Sequence, residues 1–105
     1  ITDTNLSKGV ANYSIYSAAK AGLEAITKGL ARELAPEIKV NAIAPGAMLE
    51  PPDVTWTEEQ KNKVIDTIPL KRMGSEKDIA ETVKFLADSE YITGQIIKVD
   101  GGRSL

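Results

Sequence analysis

The hydrophobic and polar positions of this chain set out alternating helices and strands. Tyr13 to about Leu34 reads as one long helix, with Asn12 as its expected N-cap and Pro36 just beyond its end. Two short, largely apolar runs, Lys39 to Ala44 and Gln95 to Val99, read as buried parallel strands. Ile1-Thr2 reads as the end of a further strand, and the polar stretch from Asp3 to Ala11, with Gly9, as a loop. Thr57-Glu58-Glu59 opens a helix running to about Thr67. Ser75 is an N-cap for a helix over Glu76 to Ala87, with Ile79, Ala80, Val83, Phe85 and Leu86 as its apolar face. Pro45-Gly46, Ile92-Thr93-Gly94 and Asp100-Gly101-Gly102 punctuate the rest.

Strands alternating with helices imply parallel crossovers, hence an α/β fold with a Rossmann-type, doubly wound parallel sheet. Ligands bind such sheets beyond the carboxyl ends of the strands. Asp3 and Pro45-Gly46 directly follow two of those ends, and the Tyr13–Leu34 helix starts from the same side. Asp3, Tyr16, Lys20 and the segment 45–57 are therefore expected to converge on one crevice. The stretch from Ala47 to Thr57, with Pro51 and Pro52, has no period, and a loop of that length in a compact domain is usually functional, for example a lid. The long helix is rich in small residues, including Ala18, Gly22, Ala25 and Gly29. Each internal glycine costs about 1 kcal/mol relative to alanine, so close packing against that face is expected to offset it.

Composition narrows the function. Thirteen basic and fifteen acidic side chains leave a net charge of -2, with no basic block, so nucleic acid is not an expected partner. No apolar run is long enough to span a membrane and no secretory signal opens the chain. The absence of cysteine fits a cytoplasmic protein. With no histidine either, a Ser-His-Asp centre within the chain is excluded and no metal site is expected. The 105 residues make one small domain or a piece of a larger one, and a start at Ile1 without methionine reads as a fragment.

The chemistry centres on Tyr16-Ser17-Ala18-Ala19-Lys20. Residues four apart share one helix face. An ammonium beside a phenol favours the phenolate, which fits a tyrosine to exchange protons near neutral pH. Taken alone, such a pair is more often solvated helix decoration.

Its surroundings decide otherwise. Tyr16-Ser-Ala-Ala-Lys20 with Ala21-Gly22-Leu23, Leu30-Ala-Arg-Glu-Leu34, Val40-Asn-Ala-Ile-Ala-Pro-Gly46, Pro69-Leu-Lys-Arg-Met-Gly74, Ile92-Thr-Gly94 and Val99-Asp-Gly-Gly102 follow one another in order. Together they resemble the carboxyl-terminal half of a short-chain dehydrogenase/reductase. The resemblance implies hydride transfer with a nicotinamide cofactor, Tyr16 as proton donor or acceptor, and Lys20 tuning the tyrosine and holding the nicotinamide ribose. It implies that Pro45, Gly46, Ala47 and Met48 border the nicotinamide, and that the loop beyond, from Leu49, covers the substrate. Asn41 has a structural position. The glycine-rich pyrophosphate turn and the upstream active-site asparagine would belong to an amino-terminal half outside these residues, as would the residue choosing NADP over NAD. The family also implies a homo-oligomer, a dimer or tetramer paired through the long helix and the Glu58 helix.

One departure is informative. Members of the family usually place a serine thirteen residues before the tyrosine, and here that position is Asp3. A one-residue slip would offer Thr2 or Thr4 instead, and Asp3 would then be a turn residue or cap. Otherwise the chain resembles the pteridine reductase branch, including dihydromonapterin reductase-like members, which carries Asp at that place and implies NADP(H) with a pterin or folate substrate. A carboxyl group suits that substrate, because it can bond ring N–H groups and relay a proton to nitrogen. Tyr13 would line the pocket or pack the helix entry, and Trp56 would close over a flat ring or simply pack. Three functions stay open: an NADPH-dependent pterin or dihydrofolate reductase, a ketone or alcohol oxidoreductase such as a 3-oxoacyl-carrier-protein reductase, and an inactive fragment or interaction module.

Overall fold

A computed structural model describes residues 1–4, 14–48 and 55–105. Along these residues run α1 (Ser14–Glu33), β1 (Ala42–Pro45), α2 (Glu58–Asp66), α3 (Glu76–Asp88) and β2 (Ile96–Val99). β1 and β2 are parallel neighbours, with Ala42 opposite Ile96 and Pro45 opposite Val99. Parallel strands cannot be joined by a hairpin, and the crossover between this pair carries α2 and α3. Ala42, Ile43 and Ala44 of β1 are buried, α3 packs on that strand and buries Leu86, and Ile68 of the α2–α3 connector is buried beside Gly101 at 1% exposure. No helix among the described residues is long and apolar enough to cross a membrane.

The helix starts follow from local chemistry. Thr57 caps α2 reciprocally: its hydroxyl accepts from the Gln60 N–H at 3.2 Å, and its own N–H donates to Gln60 Oε1 at 2.9 Å. Such a cap stabilises a helix by about 1 kcal/mol. At α3, Asp78 takes the equivalent place, accepting from both the N–H and the hydroxyl of Ser75. The expected cap Asn12 of α1 lies outside the described residues.

Several sequence expectations are corrected. Ile1-Thr2 forms no described ladder. Its link to β1 is the Thr2 N–H donated to Ile43 O at 2.6 Å, while the Lys20 ammonium takes the Ile1 carbonyl. β1 begins at Ala42 instead of Lys39, because residues 39–41 bond to other groups. Lys39 Nζ donates to the carbonyls of Leu86, Ala87 and Ser89 at the end of α3, where a cation suits the helix dipole. Val40 and Asn41 bond instead to the turn around Thr93, Asn41 through its side-chain amide to Ile92 O and Gln95 N. Pro45 closes β1 instead of breaking it, a place a residue without an N–H can hold. β2 is half-buried, with Lys98 exposed, since its described partner lies on one edge only.

The apolar face expected of α3 also divides: Leu86 is buried, whereas Val83 and Phe85 are about half or more exposed. On α1 nothing among the described residues lies within 4 Å of where a Cβ would stand on Gly22 or Gly29, so close packing does not offset them there. Thr27 and Ala31 are the buried positions of α1, and Ile15, Ile26 and Leu30 are exposed.

Candidate active site

Three short-range anchors gather the site. The Thr2 N–H on Ile43 O sets the first residues alongside β1. Thr4 Oγ1 donates to Pro45 O at 3.4 Å, which ties the same segment to the carboxyl end of that strand. Lys20 Nζ donates to Ile1 O at 3.3 Å, which brings the first turns of α1 against it. Between these anchors Tyr16 donates its phenol hydrogen to Asp3 Oδ2 at 2.9 Å. The Lys20 ammonium lies 5.8 Å from the centre of the Tyr16 ring, the arrangement that four-residue helical spacing dictates. Tyr16 is 45% exposed among the described residues.

This geometry removes the ambiguity of register at the start of the chain. Thr2 is buried at 3% exposure and Thr4 is turned to Pro45 O, so it is the Asp3 carboxylate that meets the tyrosine. Phenol, ammonium and carboxylate together can pass a proton at a single point, with a cation near to stabilise the phenolate left behind.

The turn after β1 is fixed from two sides. The Gly46 N–H continues the sheet by donating to Val99 O at 2.9 Å, and a Cβ there would come within 2.4 Å of Asp100 Cβ, so the close approach requires glycine. Asp100 is itself held by the N–H groups of Gly102 and Ser104, at 3.0 and 2.9 Å. Burial raises its carboxyl pKa, but the hydroxyl of Ser104 and those two N–H groups outweigh burial, and Lys98 adds its charge, so the net shift is downward. On the other side the Gly74 N–H donates to Ala47 O at 2.9 Å, and Met48 lies beside Gly74 in a parallel bridge.

Asp3, Tyr16 and Lys20 are thus brought together, with Pro45 tied to the same segment and Gly46, Ala47 and Met48 following it. Trp56 stands half-buried one residue before the Thr57 cap of α2. Tyr13 and Leu49 lie outside the described residues. Two contributors went unnoticed in the sequence. The Ile1 carbonyl is a backbone atom that no side-chain pattern reveals. Gly74 is part of a noted motif, but its hold on Ala47 depends on a long-range contact. Among the described residues no group of His, Cys, Asp or Glu could hold a metal ion.

The chain as a whole is similar to known proteins. A family model described as enoyl-(acyl carrier protein) reductase matches residues 1–104. The 3-oxoacyl-(acyl-carrier-protein) reductase of Staphylococcus epidermidis is 48% identical over 90 residues, covering 83% of this chain and 37% of that protein. The dihydromonapterin reductase of Klebsiella pneumoniae is 39% identical over 107 residues, covering 100% of this chain and 43% of that protein. A crystal structure of a small-chain dehydrogenase in complex with NADPH matches with a TM-score of 0.85 and 34% identity, over 98% of this chain and 48% of that one. The chain therefore spans less than half the length of each of these proteins.

Proposed function

The chain belongs to the short-chain dehydrogenase/reductase family, and we propose that it supplies the proton-donating and substrate-facing part of an NADPH-dependent reductase of pterins, dihydropterins or dihydrofolate. The observation that carries the substrate class is the hydrogen bond from the Tyr16 hydroxyl to Asp3 Oδ2 at 2.9 Å. An acceptor carboxylate stands where a ketone-reducing member would have a hydroxyl to offer its substrate. In this proposal the rest of the domain, with the pyrophosphate-binding turn, belongs to sequence outside these residues.

The donor set fits the nicotinamide end of the cofactor. An ammonium has three N–H donors and Ile1 O takes one from Lys20, so the same group can reach ribose hydroxyls. Pro45, Gly46, Ala47 and Met48 would border the ring, on a turn braced by Asp100 and Gly74. When bound, NADPH supplies a hydride to the substrate carbon.

The chain's residues supply the rest. Reduction of a ring C=N bond forms C–H and N–H, so one proton must reach nitrogen. Tyr16 gives up the phenolic proton, and Lys20 stabilises the phenolate that remains. Asp3, which accepts the Tyr16 hydrogen, relays that one proton towards the ring nitrogen, and its remaining lone pairs accept ring N–H groups. Solvent recharges the pair through the exposed side of the phenol.

The test is NADPH oxidation by the intact protein with dihydrobiopterin or dihydrofolate, set against an acetoacetyl thioester. Turnover of the pterin or folate well above the thioester is expected, and the reverse preference refutes the substrate class. A 3-oxoacyl thioester reductase is the second reading, favoured by the 48% identity to the staphylococcal enzyme.

A further inference from the structure

We propose that Arg72 and Asp78 are positioning residues for the cofactor-bordering turn, acting through Gly74 on Ala47 and Met48. The inference rests on the assignment of residues 45–48 to the nicotinamide under Proposed function. Arg72 meets Asp78 in a fork-to-fork pair, Nη1 to Oδ2 at 2.8 Å and Nη2 to Oδ1 at 2.9 Å. This is the two-bond geometry that restricts orientation as well as distance. Arg72 Nη1 also donates to Met73 O at 3.1 Å, so the guanidinium grips the backbone one peptide before Gly74. On the far side of Gly74, the Ser75 N–H donates to Asp78 Oδ2 at 2.8 Å. Gly74 is therefore held at both flanks by one ion pair.

What Gly74 does with that placement is visible. Its N–H reaches Ala47 O at 2.9 Å, and its bare Cα leaves room for Met48. A Cβ at Gly74 would stand 2.6 Å from the Met48 sulfur and 2.7 Å from its terminal methyl. Asp78 lies at the first turn of α3, which packs on β1, so the turn after β1 is referenced back to the strand that delivers it. Surface ion pairs ordinarily contribute little to stability, and the Arg72 side chain is 59% exposed. The function of the pair is geometric.

The experiment uses the intact protein with Arg72→Leu and Asp78→Asn. The asparagine variant keeps a carbonyl oxygen for the Ser75 N–H and so preserves the cap of α3. Two ligands are titrated by fluorescence or calorimetry: NADPH, and adenosine 2′,5′-bisphosphate, which has no nicotinamide. Both variants are expected to weaken NADPH about tenfold and to raise its KM alike, with adenosine 2′,5′-bisphosphate held within about twofold, as for coupling through packed contacts. Arg72→Lys is expected to recover part of the loss, since it restores the charge without the two-bond fork. NADPH affinity unchanged in both variants overturns the proposal, as does equal weakening of both ligands, which marks general loosening of the fold. Failure of the unaltered protein to bind NADPH refutes the cofactor assignment itself, and the inference falls with it; that result is distinct from variants that bind as the parent does.

Discussion

Asp3→Asn is the most discriminating substitution in this chain. The amide is isosteric with the carboxylate and its oxygen can still accept the Tyr16 hydroxyl, now 2.9 Å from Asp3 Oδ2. The anchors on either side do not use the Asp3 side chain: Thr2 N–H to Ile43 O, Lys20 to Ile1 O, and Thr4 to Pro45 O. The fold should therefore stay intact. Two magnitudes separate the possible roles. Weakening one hydrogen bond to a 45% exposed phenol costs about 0.5–1.5 kcal/mol, a factor of roughly 2 to 13 in rate. Loss of a proton-transferring group costs roughly 10²–10⁴-fold. The expected result is a fall of about 10² or more in kcat for dihydropterin, with an unchanged melting temperature and unchanged NADPH binding. Asp3→Ser should behave similarly on dihydropterin while gaining slight activity on simple ketones. Both variants reducing dihydropterin within about tenfold of the parent would mean that Asp3 only orients or caps, and the pterin assignment would lose its support.

Tyr16→Phe removes only the hydroxyl and is expected to lower turnover by roughly 10²–10⁴-fold while leaving NADPH affinity in place, so unchanged turnover would dissociate Tyr16 from the chemistry. Lys20→Ala should lower the rate and weaken NADPH together, read from paired kinetic and binding titrations, because the proposal has one ammonium serve both tyrosine and ribose. Ile15 and Ile26, 89% and 57% exposed on α1, are expected to lie in a subunit interface of the intact protein; Ile26→Glu should shift it to a smaller species in sedimentation, and a monomeric parent at micromolar concentration would oppose this. The downward-shifted Asp100 carboxyl contributes stability that is present above the ordinary carboxylate pKa and lost as pH falls through the lower, folded value. The melting-temperature gap between the parent and Asp100→Asn should accordingly close on acidification, and a gap independent of pH would refute the linkage.

The sequence was readable where a short stretch of chain dictates its own structure. Thr57 and Ser75 announce helix starts because capping uses atoms three residues away; Thr57 caps through its own hydroxyl, whereas at Ser75 it is the Asp78 carboxylate that accepts the Ser75 N–H. Tyr16 and Lys20 share a face because helical geometry guarantees it. The true start of β1 was not legible. Lys39 looks like the first residue of a strand, yet its ammonium is taken by carbonyls of residues 86–89, nearly half the chain away. The face of α3 failed for the same reason: Phe85 fits the helical stripe, but whether a stripe position is covered depends on which element lies over it. Gly22 and Gly29 promised close packing, a promise that only a neighbouring element can fulfil, and none lies over them among the described residues. The role of Gly74 likewise required knowing that residue 47 lies beside it.

The same distinction governs how similarity bears on substrate. Identity of 48% to a 3-oxoacyl reductase and 39% to a dihydromonapterin reductase averages over every aligned position. Those positions include the strands, helices and turns that build the fold, which any substrate would need. Selectivity depends on the few atoms that face the reacting bond. A site built to bond a substrate N–H discriminates against a molecule lacking it. A ketone carbonyl offers no hydrogen to an ionised Asp3 and meets only repulsion from its oxygens. A pterin ring, the proposed substrate, carries N–H groups that such a carboxylate can accept. Under the proposed pterin assignment, the carboxylate held 2.9 Å from the tyrosine is the feature that sets the choice of substrate, which overall identity to either reductase does not decide.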